Sequence, residues 1–411
     1  MAVESMKVQS PMLWDGFKTE TTQDQQQCEE ACLELYEKLG DGSKVLDIEK
    51  HKKFLYRMLD ELPDAFASLD ASRPWLIYWA SNALAVLGEE LSDELRQGIG
   101  ESVLACQSET GGIGGGNRQL PHLAPSYAGI SALAHCGDEE IWKRVDRRKC
   151  YDWLMSLKDR ETGSFVMHRG GESDARATYC ALAIASLLNI MTEELVDKVP
   201  EYISSCQTYE GGFGAGPDAE AHGGYAFCAL ATLCLLGTPH EIVPKYIDVD
   251  SFVKWLSSRQ MYVEKGFCGR TNKLVDGCYN HWVGGCWALI DNILPCNSSF
   301  KLWDRQGLAS YTLVCCQFAR GGLRDKPGKN ADAYHTNYAL CGLSGAQYEY
   351  RYTGDSSSKL GDFGFEWTSQ LSSACDVTDK NRVRPINPVH VVPEGLAEQM
   401  HAFYKSLDNQ S

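Results

Sequence analysis

The chain has 411 residues, of which 44% are hydrophobic, so at least one sizeable core can be buried. Its 39 basic and 55 acidic side chains give a net charge of -16, which excludes nonspecific nucleic-acid binding and docking on an anionic membrane, since both need a basic surface. The longest apolar stretches, 181–190 and 227–236, are about ten residues long, short of the roughly 20 that cross a bilayer.

The N-terminal residues lack the apolar run and cleavage site of a secretory signal, so we expect a cytoplasmic protein. In that reducing setting we expect the 17 cysteines to be mainly buried free thiols, because they lie in apolar stretches, form no CxxC pair and are odd in number. Residues 1–45 include a capped, acidic amphipathic stretch and are predicted to be an N-terminal extension.

A repeat of about fifty residues follows. The residues at 107, 158, 207, 260 and 317 each end a helix-like stretch and precede a glycine turn, with spacings of 51, 49, 53 and 57. All are Gln except Lys158. Self-similarity at this period indicates one supersecondary unit stacked repeatedly.

Each unit is predicted to hold an outer helix of mixed polarity, a glycine turn and a more apolar inner helix rich in Ala and Leu. Counting an earlier stretch at 73–80, the sequence predicts six inner helices. A closed ring of six hairpins would bury this composition, so we predict an all-α fold, an α/α barrel, as one domain over residues 46–400. Residues 401–411 are predicted to be a C-terminal tail.

Aromatic residues recur in phase where the inner helices begin. Equivalent helix ends in a ring point to the same mouth, so we expect these side chains to line one cavity. A single aromatic at such a position is normally core; six in phase, with Arg176 and His222 beside them, favour a cavity because buried unpaired charge costs several kcal/mol. The six are Trp75, Tyr127, Tyr179, Tyr225, Tyr279 and Tyr338.

One stretch, 269–282, concentrates ionisable and metal-ligating side chains. Asp276 and Cys278 enter one inner helix, and His335 stands at the matching start of the next, 57 residues after Cys278. An Asp, a Cys and a His suit zinc with a fourth position open, the arrangement of catalytic sites. Such residues are usually structural when scattered, but the repeat phase brings these segments together and favours a metal site.

A basic set surrounds the same stretch. Arg270 and Lys273 precede the Asp and Cys, and Arg176 and His222 lie on preceding helices. Beside helix N-termini these groups would hold a phosphate or diphosphate, although a solvated charged face is the alternative. Asp325, in the turn 325–329, could add a magnesium ligand. Neither a GxxxxGK[ST] loop nor a GxGxxG motif occurs, which argues against a nucleotide.

Several long strings carry a more specific likeness: LDASRPW at 69–75, PHLAP at 121–125, EAHGGY at 220–225, NKLVDGCY at 272–279 and GLRDKPGK at 322–329. Over roughly residues 50–350 the chain resembles the β subunits of CaaX protein prenyltransferases, and among these the farnesyltransferase β subunits. The resemblance implies a six-hairpin barrel, 46–400, that works as a heterodimer with an α subunit. It implies farnesyl transfer from farnesyl diphosphate to the Cys thiolate of C-terminal CaaX motifs in proteins such as small GTPases.

The resemblance also implies residue roles. Asp276, Cys278 and His335 would bind zinc, with the substrate thiolate as fourth ligand, and Asp325 would hold magnesium. The diphosphate would be bound by His222, Arg270, Lys273 and Tyr279. The isoprenoid would be lined by Trp75, Arg176, Tyr179, Gly223, Gly224, Tyr225, Cys228, Trp282 and Tyr338, and the peptide would contact Trp75, Trp79 and Tyr334.

The sequence leaves three alternatives. A geranylgeranyltransferase type I β subunit shares the zinc and diphosphate residues, but the bulky Trp75 and Tyr338 favour the fifteen-carbon donor. A terpene cyclase needs a DxDD or DDxxD motif, and the nearest string, DVDS at 248–251, lacks the final acidic residue. A non-catalytic toroidal binding module would not need an Asp/Cys/His set in phase with a basic set.

Overall fold

The computed structural model describes residues 17–42, 44–294, 302–355 and 357–409. Within them a 3-10 helix covers Asp64–Ser72, a π-helical segment covers Tyr311–Cys316, and the strands are β1 (Leu323–Arg324), β2 (Ala331–Asp332), β3 (Tyr348–Tyr352) and β4 (Trp367–Leu371). β1 pairs antiparallel with β2, and β3 with β4. The helices are α1 (Glu20–Leu39), α2 (Ile48–Met58), α3 (Arg73–Val86), α4 (Asp93–Leu104), α5 (Leu123–Ala134), α6 (Glu139–Trp142), α7 (Arg147–Leu157), α8 (Ala175–Leu187), α9 (Glu193–Val196), α10 (Val199–Ser205), α11 (Gly223–Leu236), α12 (Pro239–Tyr246), α13 (Val249–Ser257), α14 (Tyr279–Trp282), α15 (Gly284–Ile290), α16 (Arg305–Ser310), α17 (Ala333–Gln347) and α18 (Leu396–Asp408).

The apolar helices form a closed inner ring. α3 packs against α5, α5 against α8, and α8 against α11. α11 then contacts the short helices α14 and α15, which together occupy the fifth position. Both contact α17, and α17 returns to α3, so the ring closes. The α/α barrel predicted from the repeat is confirmed.

The repeated Gln ties each turn to the next outer helix. Gln207 Nε2 donates to the carbonyl of Asp248, the N-cap of α13, at 2.9 Å, and the Asp248 N–H donates to Gln207 Oε1 at 2.8 Å. Gln317 Oε1 accepts from the N–H of Asp47, the N-cap of α2, at 2.8 Å. The last repeat is therefore joined to the first outer helix. Gln260 binds Asp304 in the same way, and Gln107 binds Asp146.

The turn glycines lie directly against the next outer helix. Gly211 has φ +96, and a Cβ added there would come 2.2 Å from the Ser251 carbonyl oxygen in α13. Two effects therefore disfavour any side chain at this position: the left-handed backbone conformation and the clash with backbone atoms of α13. The same holds for Gly111 (φ +110) against Lys149 and Gly321 (φ +95) against Lys50.

The two ends of the chain pack on the ring. In the predicted N-terminal extension, part of which lies outside the described residues, α1 contacts the π-helical segment. The predicted boundary at residue 400 is wrong, because it falls inside α18, which packs against α5 and α8. Phe403 and Tyr404, assigned to the tail, are buried, and both contact Trp142 in α6. Residues 410–411 of the predicted tail lie outside the described residues.

We predict that Gly211→Ala lowers the free energy of unfolding by about 3 kcal/mol or more, since the new methyl group must displace the backbone of α13. Gly170→Ala is the matched control. Gly170 also has a positive φ, +78, but an added Cβ meets nothing within 4 Å. That variant should lose about 1 kcal/mol, the strain alone. Equal losses of unfolding free energy in the two variants, measured by thermal or urea unfolding, would show that the close approach of Gly211 to α13 does not contribute.

Candidate metal centre and aromatic pocket

The predicted metal ligands converge. One ligand atom each from Asp276, Cys278 and His335 lies within 4.8 Å of the others, and His335 Nε2 is 3.3 Å from Asp276 Oδ1. Among the described residues no other group of His, Cys, Asp and Glu side chains meets the same criterion. A carboxylate, a thiol and an imidazole are the donor types that zinc prefers, and three of them leave a fourth position open.

Local backbone structure orients the three ligands. The N–H of Cys278 donates to Asp276 Oδ1 at 2.8 Å, which holds the carboxylate at the entrance to α14. His335 lies in the first turn of α17, whose N-cap is Asp332. Asp332 accepts from the His335 N–H at 2.7 Å and lies 2.7 Å from His335 Nδ1, so Nε2 faces Asp276. A carboxylate on the second ring nitrogen is the usual support of a metal-binding histidine.

The electrostatics of the triad favour a cation. Burial opposes the charge on His335, yet hydrogen bonds with Asp276 and Asp332 outweigh it and raise the pKa of His335 to about 10. Burial raises the pKa of the Cys278 thiol well above its ordinary value, and the charge of Asp276 adds to that. A bound metal ion would replace the imidazole proton and stabilise the thiolate. The donor set therefore fits zinc.

Two of the predicted diphosphate residues, His222 and Tyr279, lie beside the triad. His222 Nδ1 accepts from the Gly224 N–H at 3.0 Å, so the proton of the neutral ring is on Nε2. Nε2 lies 2.9 Å from Tyr279 Oη and donates to it, leaving the phenol O–H to donate elsewhere. Burial, and then the charge of Arg270, lower the pKa of His222 and keep the ring neutral. Tyr279 therefore presents a hydrogen-bond donor next to Cys278.

Glycines make room for this tyrosine. A Cβ on Gly269 would come 2.0 Å from the Tyr279 ring, and one on Gly223 would come 3.1 Å from it. Gly223 and Gly224 were predicted to line the isoprenoid; Gly223 is buried against Tyr279 and Val283, and Gly224 lies beside His222. Each glycine thus lies against a predicted anion-binding residue, and Gly223 lies also against Val283.

The remaining polar residues lie at the rim. Arg270 pairs with Glu220 at 2.7 Å, and Lys273 is exposed. Arg176 is half exposed. It pairs with Asp174 at 2.6 Å, and its guanidinium lies over the Tyr225 ring. Asp325 is ion-paired with Lys326, and burial and then the charge of Asp276 raise its pKa.

The predicted isoprenoid residues belong to a continuous aromatic lining. Trp75 contacts Tyr127 at a ring-centroid distance of 5.9 Å, Tyr127 contacts Tyr179 at 5.4 Å, and Trp282 contacts Tyr338 at 4.4 Å. Cys228 is buried on α11. The predicted peptide residues adjoin this lining: Trp79 stacks on Trp75 at 5.3 Å and meets Tyr334 edge-on at 5.4 Å, and Tyr334 Oη accepts from Trp282 Nε1 at 3.1 Å.

Sequence reasoning missed several residues that the structure places at the site. Asp174 and Asp332 each cap an inner helix and orient a site residue, Arg176 and His335 respectively. An Asp directly before an apolar helix is a recognised N-cap signal and could have revealed both. Phe227 also belongs to the lining, since it bridges Tyr179 at 5.8 Å and Trp282 at 5.7 Å, but a buried Phe carries no distinguishing signal.

Comparison with known proteins assigns the family. The sequence model of the Prenyltransferase alpha-alpha toroid domain matches residues 46–392. The protein farnesyltransferase subunit beta of Pyricularia oryzae is 42% identical, with 99% of this chain and 85% of that protein covered. Its counterparts in Schizosaccharomyces pombe and Saccharomyces cerevisiae are 40% and 39% identical, over 90% and 100% of this chain and 94% and 92% of their own lengths.

The chain belongs to the family of protein farnesyltransferase β subunits. Membership in that family makes it a prenyltransferase, as the sequence resemblance indicated. A solved structure, Candida albicans protein geranylgeranyltransferase-I complexed with GGPP, matches with a TM-score of 0.67 at 23% identity, covering 87% of this chain and 98% of that one. At this identity the likeness supports the barrel fold alone. Within the described residues, no helix has the length and hydropathy of a membrane span.

For this farnesyltransferase β-subunit homologue we predict that Cys278→Ala weakens zinc binding by more than about 100-fold, because the candidate metal site would lose one of its three ligands. Cys286→Ala is the matched control, since Cys286 is an equally buried thiol on the adjoining helix α15. Bound zinc, measured by elemental analysis after dialysis against a weak chelator, should fall only in the first variant. Full zinc retention by Cys278→Ala would contradict the ligand assignment.

Proposed function

We propose that the protein is the catalytic β subunit of a heterodimeric protein farnesyltransferase, which transfers farnesyl from farnesyl diphosphate to the Cys of C-terminal CaaX motifs. The observation that carries the proposal is the convergence of Asp276, Cys278 and His335 beside the His222 and Tyr279 pair. The first three residues would activate the nucleophile and the pair would bind the anion, and both groups lie at one edge of the aromatic lining. Prenyl transfer from a diphosphate to a thiol needs these three parts together.

Zinc is the proposed resident metal. When bound, it supplies a Lewis acid that lowers the pKa of a coordinated thiol, so that the thiol is nucleophilic near neutral pH. Asp276, Cys278 and His335 would hold it, and Asp332 would keep the His335 ring oriented through Nδ1. The open fourth position would receive the substrate cysteine. The surroundings of Cys278 are dry, since its side chain is buried, and this strengthens electrostatic effects at the site.

The diphosphate leaving group would be stabilised by fixed donors. Tyr279 would donate its phenol O–H to a phosphate oxygen, held in place by the His222 Nε2–H. Arg270 and Lys273 would supply positive charge after Arg270 exchanges Glu220 for the diphosphate. Preorganised donors aimed at developing negative charge are typically the largest contribution to such a transfer. We propose that Asp325, freed from Lys326, gives one ligand to a magnesium ion that also binds the diphosphate.

The donor chain would lie against the aromatic lining. Trp75, Tyr179, Tyr225, Trp282 and Tyr338 supply an apolar wall, and Arg176 covers Tyr225 at the rim. Trp75 and Tyr338 are bulky, which favours fifteen carbons over twenty. The C-terminal aliphatic residue of the CaaX peptide would contact Trp79 and Tyr334, which join the donor wall to the metal-bearing helices.

The partner is proposed to be a prenyltransferase α subunit, as the β-subunit family implies, and the substrates to be CaaX proteins such as small GTPases in the cytoplasm. The test is a prenyl-transfer assay of the chain co-expressed with an α subunit. CaaX peptides ending in Met or Ser, rather than Leu, should accept farnesyl from farnesyl diphosphate. A Cys278→Ala heterodimer is the inactive control. An intact wild-type heterodimer that transfers neither farnesyl nor geranylgeranyl would overturn the proposal.

We predict that Trp75→Thr shifts donor preference toward geranylgeranyl diphosphate by about tenfold or more in the ratio of kcat/KM values, because removing the indole lengthens the pocket. Trp79→Thr is the matched control: Trp79 stacks on Trp75 but faces the peptide side, so its loss should raise the peptide KM and leave the donor ratio unchanged. Unchanged donor selectivity in Trp75→Thr would count against this pocket assignment.

A further inference from the structure

The barrel end opposite the predicted metal site is filled by residues 387–392, here called the plug loop. The Asn387 side chain closes the loop on itself, since its Oδ1 accepts from the N–H groups of Val389 and His390, each at 2.9 Å. His390 Nε2 lies 3.3 Å from Ser186 Oγ near the C-terminal end of α8, so the loop enters by the C-terminal ends of the inner helices. The loop is buried, as shown by Asn387, Val389, His390 and Val391.

Three inner-helix side chains bind the backbone of this loop. Tyr78 Oη donates to the Val391 carbonyl at 2.9 Å, and Asn82 Nδ2 donates to the same oxygen at 3.0 Å. Tyr179 Oη donates to the Val389 carbonyl at 2.7 Å. Two helices, α3 and α8, therefore fix how far the loop reaches into the ring.

The loop is held in a strained conformation. Val391 has φ +61, in the left-handed region that a β-branched residue rarely adopts. A backbone cost of this kind persists only where the surroundings overdetermine it, and such positions cluster at binding sites. Hydrogen bonds hold Val391 at both of its backbone polar groups: its carbonyl accepts the two bonds from Tyr78 and Asn82, and its N–H donates to the Asn387 carbonyl at 3.0 Å.

Tyr179 belongs to the aromatic lining, and the fully buried Tyr78 packs behind it. Tyr78 meets Trp75 edge-on at 6.1 Å and Tyr127 at 5.9 Å, and Tyr127 contacts Tyr179 at 5.4 Å. Trp75 and Tyr179 are proposed isoprenoid residues. Tyr78 and Tyr179 therefore connect the aromatic lining to the plug loop: their rings contact lining residues, and their hydroxyls donate to the backbone of the loop.

We propose that Tyr78 is a positioning residue that fixes the depth of the isoprenoid pocket through the plug loop and thereby sets discrimination between fifteen-carbon and twenty-carbon diphosphate donors. The inference rests on the proposed prenyl-transfer function. Tyr78 acts at a distance: its ring supports Trp75, and its hydroxyl keeps the Val391 carbonyl against the inner helices. Without that bond, Asn82 is the one side chain among the described residues that still donates to this carbonyl, and the loop can recede when a longer chain presses on the pocket floor.

The test uses the heterodimer with Tyr78→Phe, which removes the hydroxyl and keeps the ring. The ratio of kcat/KM for farnesyl diphosphate over geranylgeranyl diphosphate should fall by about three- to tenfold, the range for loss of one hydrogen bond. The change should appear as a lower KM for the longer donor, with kcat for the shorter donor kept. A general loss of stability would lower both activities together and would not move the ratio.

Tyr348→Phe is the matched control. Tyr348 Oη donates to the Val383 carbonyl at 2.9 Å, a bond of the same kind to the same C-terminal segment but outside the plug loop. This variant should leave the donor ratio unchanged. An equal shift in Tyr348→Phe, or no shift in Tyr78→Phe with an active wild type, overturns the inference and leaves the proposed function standing. A wild-type heterodimer that transfers neither lipid overturns the proposed function itself.

A second measurement needs no variant. Hydrogen exchange of the plug-loop amides in the wild-type heterodimer can be followed with non-reactive farnesyl and geranylgeranyl diphosphate analogues at saturation. Exchange should stay slow with the farnesyl analogue and rise several-fold with the longer one, because the longer chain displaces the loop. Identical protection with both analogues overturns the inference even if Tyr78→Phe fails to fold.

Discussion

The site depends on contacts between the side chain that precedes each glycine turn, a Gln or Lys158, and backbone groups at or just before the start of the next outer helix. These contacts, together with the close approach of the turn glycines to the outer helices, fix the offset between successive hairpins. The hydrogen bond between Gln317 and Asp47 joins the last repeat to the first, so the offsets are fixed around the whole ring. Cys278 and His335 are 57 residues apart in the chain and meet only because two neighbouring inner helices begin at the same height. A change at a turn far from the metal ligands is therefore also a change at the metal site.

The second constraint is electrostatic. The chain carries a net charge of -16, yet its proposed ligand is a diphosphate. Local groups at the site offset the unfavourable net charge. His222 is neutral and orients Tyr279, while Arg270 forms an ion pair with Glu220 and Arg176 forms one with Asp174. Both arginines thus have a carboxylate partner. If Arg270 exchanged Glu220 for a bound anion, the half-exposed Glu220 carboxylate could be solvated by water.

Much of this could be predicted from the sequence because it follows from periodicity. The barrel, the six inner-helix starts and the Asp276, Cys278 and His335 set all share the phase of the repeat. The plug loop could not be predicted, because Val389 and Val391 bind through backbone carbonyls, which leave no trace in residue identity. The boundary at residue 400 was wrong for a related reason: α18 lies outside the repeat, and only its packing against α5 and α8 shows that it belongs to the barrel.

We propose above all that the repeat brings Asp276, Cys278 and His335 together as an open metal site that binds the substrate thiol. X-ray absorption spectroscopy at the zinc edge of the purified heterodimer, with and without a CaaX peptide, tests it most directly. We expect one sulfur ligand, from Cys278, in the free enzyme and two sulfur ligands once the peptide is bound. A sulfur count that stays at one with saturating peptide, or a heterodimer that binds no zinc, would contradict it.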